Sequence, residues 1–377
     1  MRLLVVGHVV HKIIDSQFFA YGPYVKEMNL WFKHVDEVRI LAPLSSIAKL
    51  DPIDLPYQHS NLILVQVSEF SITSFSAFVK ALIELPGIIR STWDEMKSAD
   101  HIHLRCPGNM GLVGAVVQLF FPKKQKSAKY AGNWDRTSAQ PFTFRLQQRI
   151  LSNPAWTKNM KVLVYGEWAN ESENIKPFFT ATYSESDIIQ LEPRSISGDQ
   201  RIKLIFAGGL NTGKQPMLSA EICLQLRKSG IDCSLDFYGE GPERDLIQSF
   251  IASNNLENHI TIHGNQPAEI LKVAYQESHF LIFISKSEGW PKVVAESMFW
   301  GCLPVTTAVS CVPQMLGDGS RGELVNPDVE EISSRIISLI TNPEEYARKS
   351  ANAMNWSRAY TLEKFDNELE SILNASN

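Results

Sequence analysis

The chemistry this sequence offers centres on two carboxylates eight residues apart, Glu288 and Glu296. They lie in Ser285-Lys-Ser-Glu288-Gly289-Trp290-Pro291-Lys292-Val293-Val-Ala-Glu296-Ser-Met-Phe-Trp-Gly301-Cys-Leu-Pro304-Val305. The stretch follows an apolar run ending at Ile284 and reads as a strand end, a glycine turn and a helix starting near Pro291, since proline suits the first position of a helix. A helix N-terminus presents unpaired N–H groups and a partial positive charge, a ready seat for a phosphate. Glu288 then stands in the turn. Glu296 projects from the first turns of the helix, where it could accept hydrogen bonds from a vicinal diol such as a ribose. The plainer alternative has Glu288 capping the helix and Glu296 on a solvated face.

Such a turn has to be held by a sheet. Short β-branched runs bounded by Gly or Pro alternate with helical patterns at Arg2–Val6, Val38–Ala42, Leu62–Val67, His101–Leu104, Lys161–Tyr165 and Ala181–Tyr183. The rhythm restarts at Lys203–Ala207 and runs through Ser234–Tyr238, Ile260–His263, Phe280–Ile284 and Leu303–Thr306. This βαβ alternation predicts two doubly wound α/β domains, 1–190 and 195–357, joined by the stretch Glu185–Arg201, which lacks a hydrophobic period. Leu362, Phe365, Leu369, Ile372 and Leu373 recur at helical spacing, so residues 358–377 should form an amphipathic helix packed on another element. In open parallel sheets ligands bind outside the carboxyl ends of the strands, where the Glu288 turn falls.

Composition narrows the classes of function. The 377 residues are 44% hydrophobic and 20% charged, enough for two cores. The formal charge is -5, divided as +3 over residues 1–190 and -8 over 191–377, so no chain-wide basic field attracts nucleic acid. Cys106, Cys223, Cys233, Cys302 and Cys311 are scattered and include no Cys-x-x-Cys, which argues against a disulfide framework or a zinc site and fits a reducing cytosol. The start of the chain reads as a buried first strand rather than a signal peptide. The longest apolar stretch, Gly111–Phe121, is eleven residues, whereas a bilayer span needs roughly 20. Gly108-Asn-Met-Gly111-Leu-Val-Gly114 lacks the order of a dinucleotide loop and reads as a close-packed helix start. No Asp-x-Asp is present, so a metal-independent reaction without cofactor is expected.

Four landmarks in order over the second half then resemble one family, the retaining nucleotide-sugar glycosyltransferases of family 4. Ser285-x-x-Glu288-Gly289 with Glu296 resembles its E-x7-E signature, and Gly301-x-x-Pro304-Val305 its continuation. Ala207-Gly208-Gly209-Leu210-Asn-Thr-Gly-Lys214 resembles its G-R-L-x-x-x-K-G loop, Phe237-Tyr238-Gly239-Glu240-Gly241-Pro242 its V-G-x-G-P turn, and Ile260-Thr-Ile262-His263-Gly264 its V-x-F-x-G strand. The resemblance implies a GT-B fold, with two Rossmann-like domains facing across a cleft, the donor nucleotide on the C-terminal one, the acceptor on the N-terminal one, and the last helix crossing back. It implies that Lys214 meets the donor diphosphate, Glu296 the ribose hydroxyls, and Glu288 with the amides of Gly289, Trp290, Lys292 and Val293 the transferred sugar. By the same resemblance Gly239 and Gly241 permit a close backbone approach, and Ile262 to Gly264, His263 included, line the nucleobase. Lys214 and Glu296 should therefore open onto one shared hollow. Retention through front-face attack is implied too, with a lysine and a helix N-terminus stabilising the leaving diphosphate and no enzyme nucleophile.

The sequence departs from the family at informative places. Gly209 stands where arginine is usual, and Lys292 where an apolar residue is common; Lys292 either supplies the absent charge or is a solvated helix-face lysine. Pro291 removes a backbone donor from the sugar loop. In the first half a Gly-Gly loop is replaced by His8-Val-Val-His11, with Tyr21-Gly22-Pro23-Tyr24 as a remnant before a helix. Ala99-Asp100-His101-Ile102-His103-Leu104-Arg105 resembles a D-x-x-H-x-H strand end with Arg105 for the later histidine, and Lys129-Tyr-Ala131-Gly132-Asn133-Trp134 a T-x-H-G-x loop with alanine for histidine. His103 is thus the acceptor-side catalytic candidate, or a hydrogen-bonded structural histidine. Arg105, Asn133 and Trp134 are candidates for binding an acceptor sugar, unless Trp134 only fills the core.

The expectation is a cytoplasmic glycosyltransferase acting on a nucleotide sugar and a glycan or lipid-linked acceptor, in bacterial surface polysaccharide assembly. A nucleotide-sugar epimerase or hydrolase and a non-catalytic sugar-nucleotide-binding protein are the alternatives. With a lipid-linked acceptor, Phe120-Phe121-Pro-Lys123-Lys124-Gln-Lys126 and the apolar pattern Phe75–Ile89 of the N-terminal domain could rest on the inner face of the cytoplasmic membrane. The alternative is a core helix ended by solvated lysines.

Overall fold

A computed structural model describes residues 1–377 apart from 48, 52, 69–74, 192–194, 198–199 and 375–377, and describes 75–82 by their backbone alone. The chain divides into two compact units, Met1–Phe178 with Phe365–Asn377, and Phe179–Lys364. The first boundary lies upstream of the expected linker because Tyr183 packs its ring on Phe299 and Trp300, at 4.8 and 5.2 Å, and so belongs with the second unit. The side chains of the apolar pattern 75–82 and residues 192–194 and 198–199 of the expected linker lie outside the described residues.

The strands of the first unit are β1 (Arg2–Val6), β2 (Lys12–Ile14), β3 (Gln17–Tyr21), β4 (Glu37–Pro43), β5 (Asp54–Pro56), β6 (Leu62–Val67), β7 (His101–Cys106), β8 (Gln125–Tyr130), β9 (Met160–Tyr165) and β10 (Ile175–Phe178). Its helices in the first stretch of chain are α1 (Gly22–Phe32), α2 (Phe75–Ser98), α3 (Asn109–Val117) and α4 (Phe142–Leu151). Seven strands form a parallel sheet in the order β10-β9-β8-β7-β1-β4-β6, and β2-β3-β5 form a small antiparallel one. Leu3, Leu4, Val5 and Val6 have no exposed surface, as expected for a strand covered on both faces. Glycines let α3 lie close on β7: a Cβ at Gly111 would stand 2.8 Å from the carbonyl oxygen of Arg105, and one at Gly114 2.8 Å from Leu104.

Three expectations are corrected here. Ala181–Tyr183 is not a strand, and the sheet ends on β10 instead. β8 escaped the pattern because two of its residues are lysines, yet both are buried. The Lys126 ammonium donates to Gln118 Oε1 at 2.7 Å and to the Phe121 carbonyl at 3.1 Å, and Lys129 donates to Glu27 at 2.9 Å. Lys126 therefore leaves the basic cluster read after Phe121, while Lys124 donates to the carbonyls of Lys97, in the last turn of α2, and of Ala99 just after the helix.

The second unit carries β11 (Ile202–Ala207), β12 (Cys233–Tyr238), β13 (Ile260–Gly264), β14 (Phe280–Phe283), β15 (Leu303–Thr307) and β16 (Glu323–Val325). Its helices are α5 (Pro216–Lys228), α6 (Arg244–Ser253), α7 (Ala268–Glu277), α8 (Lys292–Phe299), α9 (Val312–Met315), α10 (Val329–Thr341) and α11 (Pro343–Ser357). All six strands are parallel in the order β13-β12-β11-β14-β15-β16, so the winding reverses between β11 and β14. Leu204, Phe206, Leu235, Phe237 and Ile282 form its fully buried core. The last helix, α12 (Leu362–Asn374), buries Phe365, Leu369, Ile372 and Leu373, and its residues from Phe365 onward belong to the first unit.

Candidate active site

The reversal between β11 and β14 places two loops side by side in the second unit, the position where doubly wound sheets bind ligands. Asn211 shapes the first of them. Its side-chain oxygen accepts from the amides of Gly213 and Lys214 at 3.0 and 3.2 Å, a short Asx turn that aims Lys214. The Gly213 carbonyl then accepts from the Lys286 amide at 2.8 Å and from Ser285 Oγ at 3.3 Å, which ties the loop after β11 to the loop after β14. Across that junction the Lys214 ammonium donates to Glu288 Oε1 at 2.7 Å, and Ser285 Oγ donates to the same oxygen at 2.7 Å. The ammonium also lies 4.6 Å from the centre of the Phe283 ring. Two site residues 74 positions apart thus form one charged pair.

The glycines of these loops serve contact between chain segments. Gly208 (φ +145°) and Gly239 (φ +147°) both adopt a backbone that side chains disfavour, and a Cβ on Gly239 would stand 1.9 Å from the Gly208 carbonyl oxygen. A Cβ on Gly241 would stand 2.3 Å from the carbonyl oxygen of Leu210. The close approach is therefore of one loop to another. At Gly209 a side chain would first meet the Asn211 amide, at 2.9 Å from its Cβ.

Pro291 is the N-cap of α8, which has no side-chain cap and no acid in its first turn, so Glu288 does not cap this helix. Lys292 opens the helix and forms no ion pair among the described residues, with Val293 half-buried beside it. Glu296, one turn on, accepts from Thr182 Oγ1 at 2.8 Å and from the Tyr275 hydroxyl at 3.4 Å. Burial first, and then the Glu296 charge, push the phenols of Tyr275 and Tyr183 well above the usual tyrosine range. Glu296, Lys292 and Trp290 line one small recess with Thr182 and Tyr183. Lys214 is not among its lining residues; its ammonium is paired with Glu288. Trp290 packs on Trp356 and Tyr360, at 6.1 and 5.9 Å between ring centres. The Gly289 carbonyl accepts from Ser310 Oγ at 3.1 Å. At the other side of the sheet His263 stacks on Tyr238 at 4.6 Å and hydrogen-bonds Asp236 at 2.7 Å, while Ile262 packs against the core.

The acceptor-side candidates of the first unit prove more deeply set. His103 has no exposed surface; its Nδ1 meets Ser127 Oγ at 2.8 Å and its ring lies 4.1 Å from Trp31. Burial first, and then the nearby Arg105, hold the imidazole well below the usual histidine range, so it is neutral and structural rather than a solvent-facing base. Arg105 is buried in an ion pair with Glu27, which also takes Lys129, and its guanidinium lies 5.2 Å from the Tyr24 ring centre. Trp134 fills the core, donating from Nε1 to Glu171 at 3.1 Å, which decides for its plainer reading. Asn133 spends its side-chain oxygen on the Asp135 amide at 2.9 Å.

Comparison with known proteins bears on the loops of the second unit directly. Residues 188–356 match the family described as glycosyl transferases group 1, a span that takes in the Lys214, Glu288 and Glu296 segments together. This stretch is similar to the group 1 glycosyltransferases. An uncharacterized glycosyltransferase of Methanocaldococcus jannaschii is 24% identical over 277 residues, 72% of this chain and 74% of that protein. Among solved structures, Anabaena HepE in complex with UDP and glucose superposes with a TM-score of 0.68 at 14% identity, over 100% of both chains. WaaG, a glycosyltransferase involved in lipopolysaccharide biosynthesis, gives 0.64 at 13% identity over 99% of both. Such likenesses carry the fold, which is GT-B, with two Rossmann-like units.

Within the second unit, three residues of the site had not been singled out from the sequence: Asn211, Thr182 and Tyr275. Asn211 could have been found, because Asn-x-Gly is turn chemistry placed just before the lysine. Thr182 and Tyr275 reach Glu296 from distant segments, and no local pattern announces them.

Proposed function

We propose that this protein is a retaining, metal-independent glycosyltransferase of the family 4 type, moving a sugar from a nucleotide diphosphate to a glycan or lipid-linked acceptor in bacterial surface polysaccharide assembly. The observation that carries the reading is the Lys214–Glu288 pair at the β11/β14 reversal, inside the span of the family match. Similarity to WaaG supports a polysaccharide acceptor, and similarity to HepE, solved with UDP and glucose, supports a nucleotide-sugar donor.

In this mechanism the bond between the anomeric carbon and the diphosphate oxygen breaks, and its electron pair leaves with the diphosphate. Lys214 and the open N-terminus of α8 stabilise the charge that grows there. The acceptor hydroxyl attacks the same face of the sugar and passes its proton to the departing phosphate oxygen. Glu288 orients the sugar, Glu296 the ribose, and Lys292, which lines the same recess as Glu296, supplies the cation that Gly209 omits. No helix of the described residues is long and apolar enough to cross a membrane, and the proposed workplace is the cytosol or the inner membrane face.

Incubation with UDP-, GDP- and ADP-sugars and a panel of glycan acceptors, read by mass spectrometry and by the anomeric proton coupling of the product, tests this reading. Expected is an acceptor-dependent product of retained configuration, undiminished by EDTA; free sugar without any acceptor requirement would overturn it. Lys292→Ala should weaken donor binding, and unchanged turnover and donor affinity would remove its assigned role.

A further inference from the structure

The amino-terminal edge of the seven-stranded sheet holds an open cavity of about 530 Å³, at the end of the strands opposite to Gly7, Pro107 and Ala131. It lies where β7, β8, β9 and β10 begin, so each strand contributes near its first residue. Lys126, Lys158, Lys161 and Lys176 line it against one carboxylate, Glu173. The Lys126 ammonium is turned to Gln118 and Phe121 and contributes charge alone. Lys158 and Lys176 are exposed and form no ion pair among the described residues, and the Lys161 ammonium donates to the Ser371 carbonyl at 3.5 Å. Burial, and then the Lys176 charge, lower the Lys161 ammonium below the usual lysine range, so these cations stand together at a cost that a bound anion would relieve.

A second observation points the same way. His101, on the cavity wall and 1% exposed, engages Ser127 Oγ through Nε2 at 2.8 Å, while its Nδ1 has no hydrogen-bond partner among the described residues. Buried polar atoms are nearly always paired, and this unpaired nitrogen belongs to a residue of the lysine-lined wall. A tetrahedral phosphate accepts from several ammonium groups at once, and the volume leaves room for the organic part of an ester.

We propose that this cavity binds a phosphate ester, at a site separate from the donor loops. The ligand is either a soluble sugar or polyol phosphate or the headgroup of an anionic phospholipid, which share this chemistry. Calorimetry on the full chain with glycerol 3-phosphate, and co-sedimentation with phosphatidylcholine vesicles with and without phosphatidylglycerol, test it. Expected is binding that weakens about 10-fold or more in Lys161→Gln/Lys176→Gln, weakens with added salt, and persists in Lys214→Ala. Loss of vesicle binding in the double variant assigns the headgroup; loss confined to glycerol 3-phosphate assigns the soluble ester. The single variants Lys158→Gln and Lys176→Gln, at exposed positions, keep the test decisive if Lys161→Gln unfolds. The proposal is overturned if neither probe binds, if binding survives the double substitution, or if Lys214→Ala abolishes it. Because Lys214→Ala strikes the donor loops alone, failure of this site and failure of the transferase reading are distinguishable.

Discussion

Glu288→Gln should tighten the hold on a nucleoside diphosphate while damaging transfer. In the free protein the Lys214 ammonium is already spoken for, 2.7 Å from Glu288 Oε1, and the two side chains are 27% and 13% exposed. An ion pair that water still reaches is worth about 0.5–1 kcal/mol. A diphosphate that recruits Lys214 must offset that loss and approach the Glu288 carboxylate as well. Glutamine removes both obstacles, keeps the shape, and can still accept from Ser285. The pair energy converts to about a 2–5-fold lower Kd for the diphosphate. Turnover should fall by about 100-fold, because the group proposed to orient the transferred sugar loses its charge. Lys214→Ala should instead weaken the diphosphate and slow transfer by about 100–1,000-fold. Titration calorimetry with UDP, GDP and ADP gives the affinities, and steady-state assays the rates. Weaker diphosphate binding in Glu288→Gln, or unaltered turnover, would refute the reasoning.

Other consequences are open to direct measurement. Gly239→Ala should cost more than about 2 kcal/mol, since its Cβ cannot coexist with the Gly208 carbonyl; a denaturation curve matching the parent would contradict the loop-to-loop contact. Burial lowers His11 and His101 to about 4 and holds His103 well below the usual histidine range. The unfolded chain therefore takes up protons below pH 6.5 that the folded one refuses, and stability should fall from pH 6.5 towards 4 by up to about 1.4 kcal/mol per pH unit for each histidine, with no such term above pH 6.5. Urea midpoints across that window should decline less steeply for His101→Gln, and parallel slopes would exclude the assignment. Trp134→Phe should destabilise by about 1–2 kcal/mol through the lost Glu171 bond and leave acceptor KM unchanged, whereas a raised KM with intact stability would return Trp134 to the acceptor site.

The sheets were legible wherever strands are continuous apolar runs, as at Arg2–Val6 or Phe280–Phe283, because a parallel strand buried on both faces writes itself that way. β8 was illegible for the converse reason: Lys126 and Lys129 look like surface residues until Gln118 and Glu27 are seen to receive them. The turn at Glu288 and the helix after Pro291 could be placed from glycine and proline alone, and the pairing of Lys214 with Glu288 depends on the strand order, which no local window contains. In the first unit, residue type misled. A histidine at a strand end carries the same letters whether it faces solvent or, like His103, leans on Trp31 inside the core.

The way the last helix is shared has a consequence for how the protein is made. Phe365 lies against Phe178 at 5.3 Å and beneath the Lys129 ammonium at 5.0 Å, so the seven-stranded sheet borrows one wall from a helix made only after the second unit. While the ribosome is still producing the second unit, the first waits with Lys129 and an apolar slot uncovered. Loss of α12 would accordingly injure the first unit before the second, an inversion of what their order along the chain suggests.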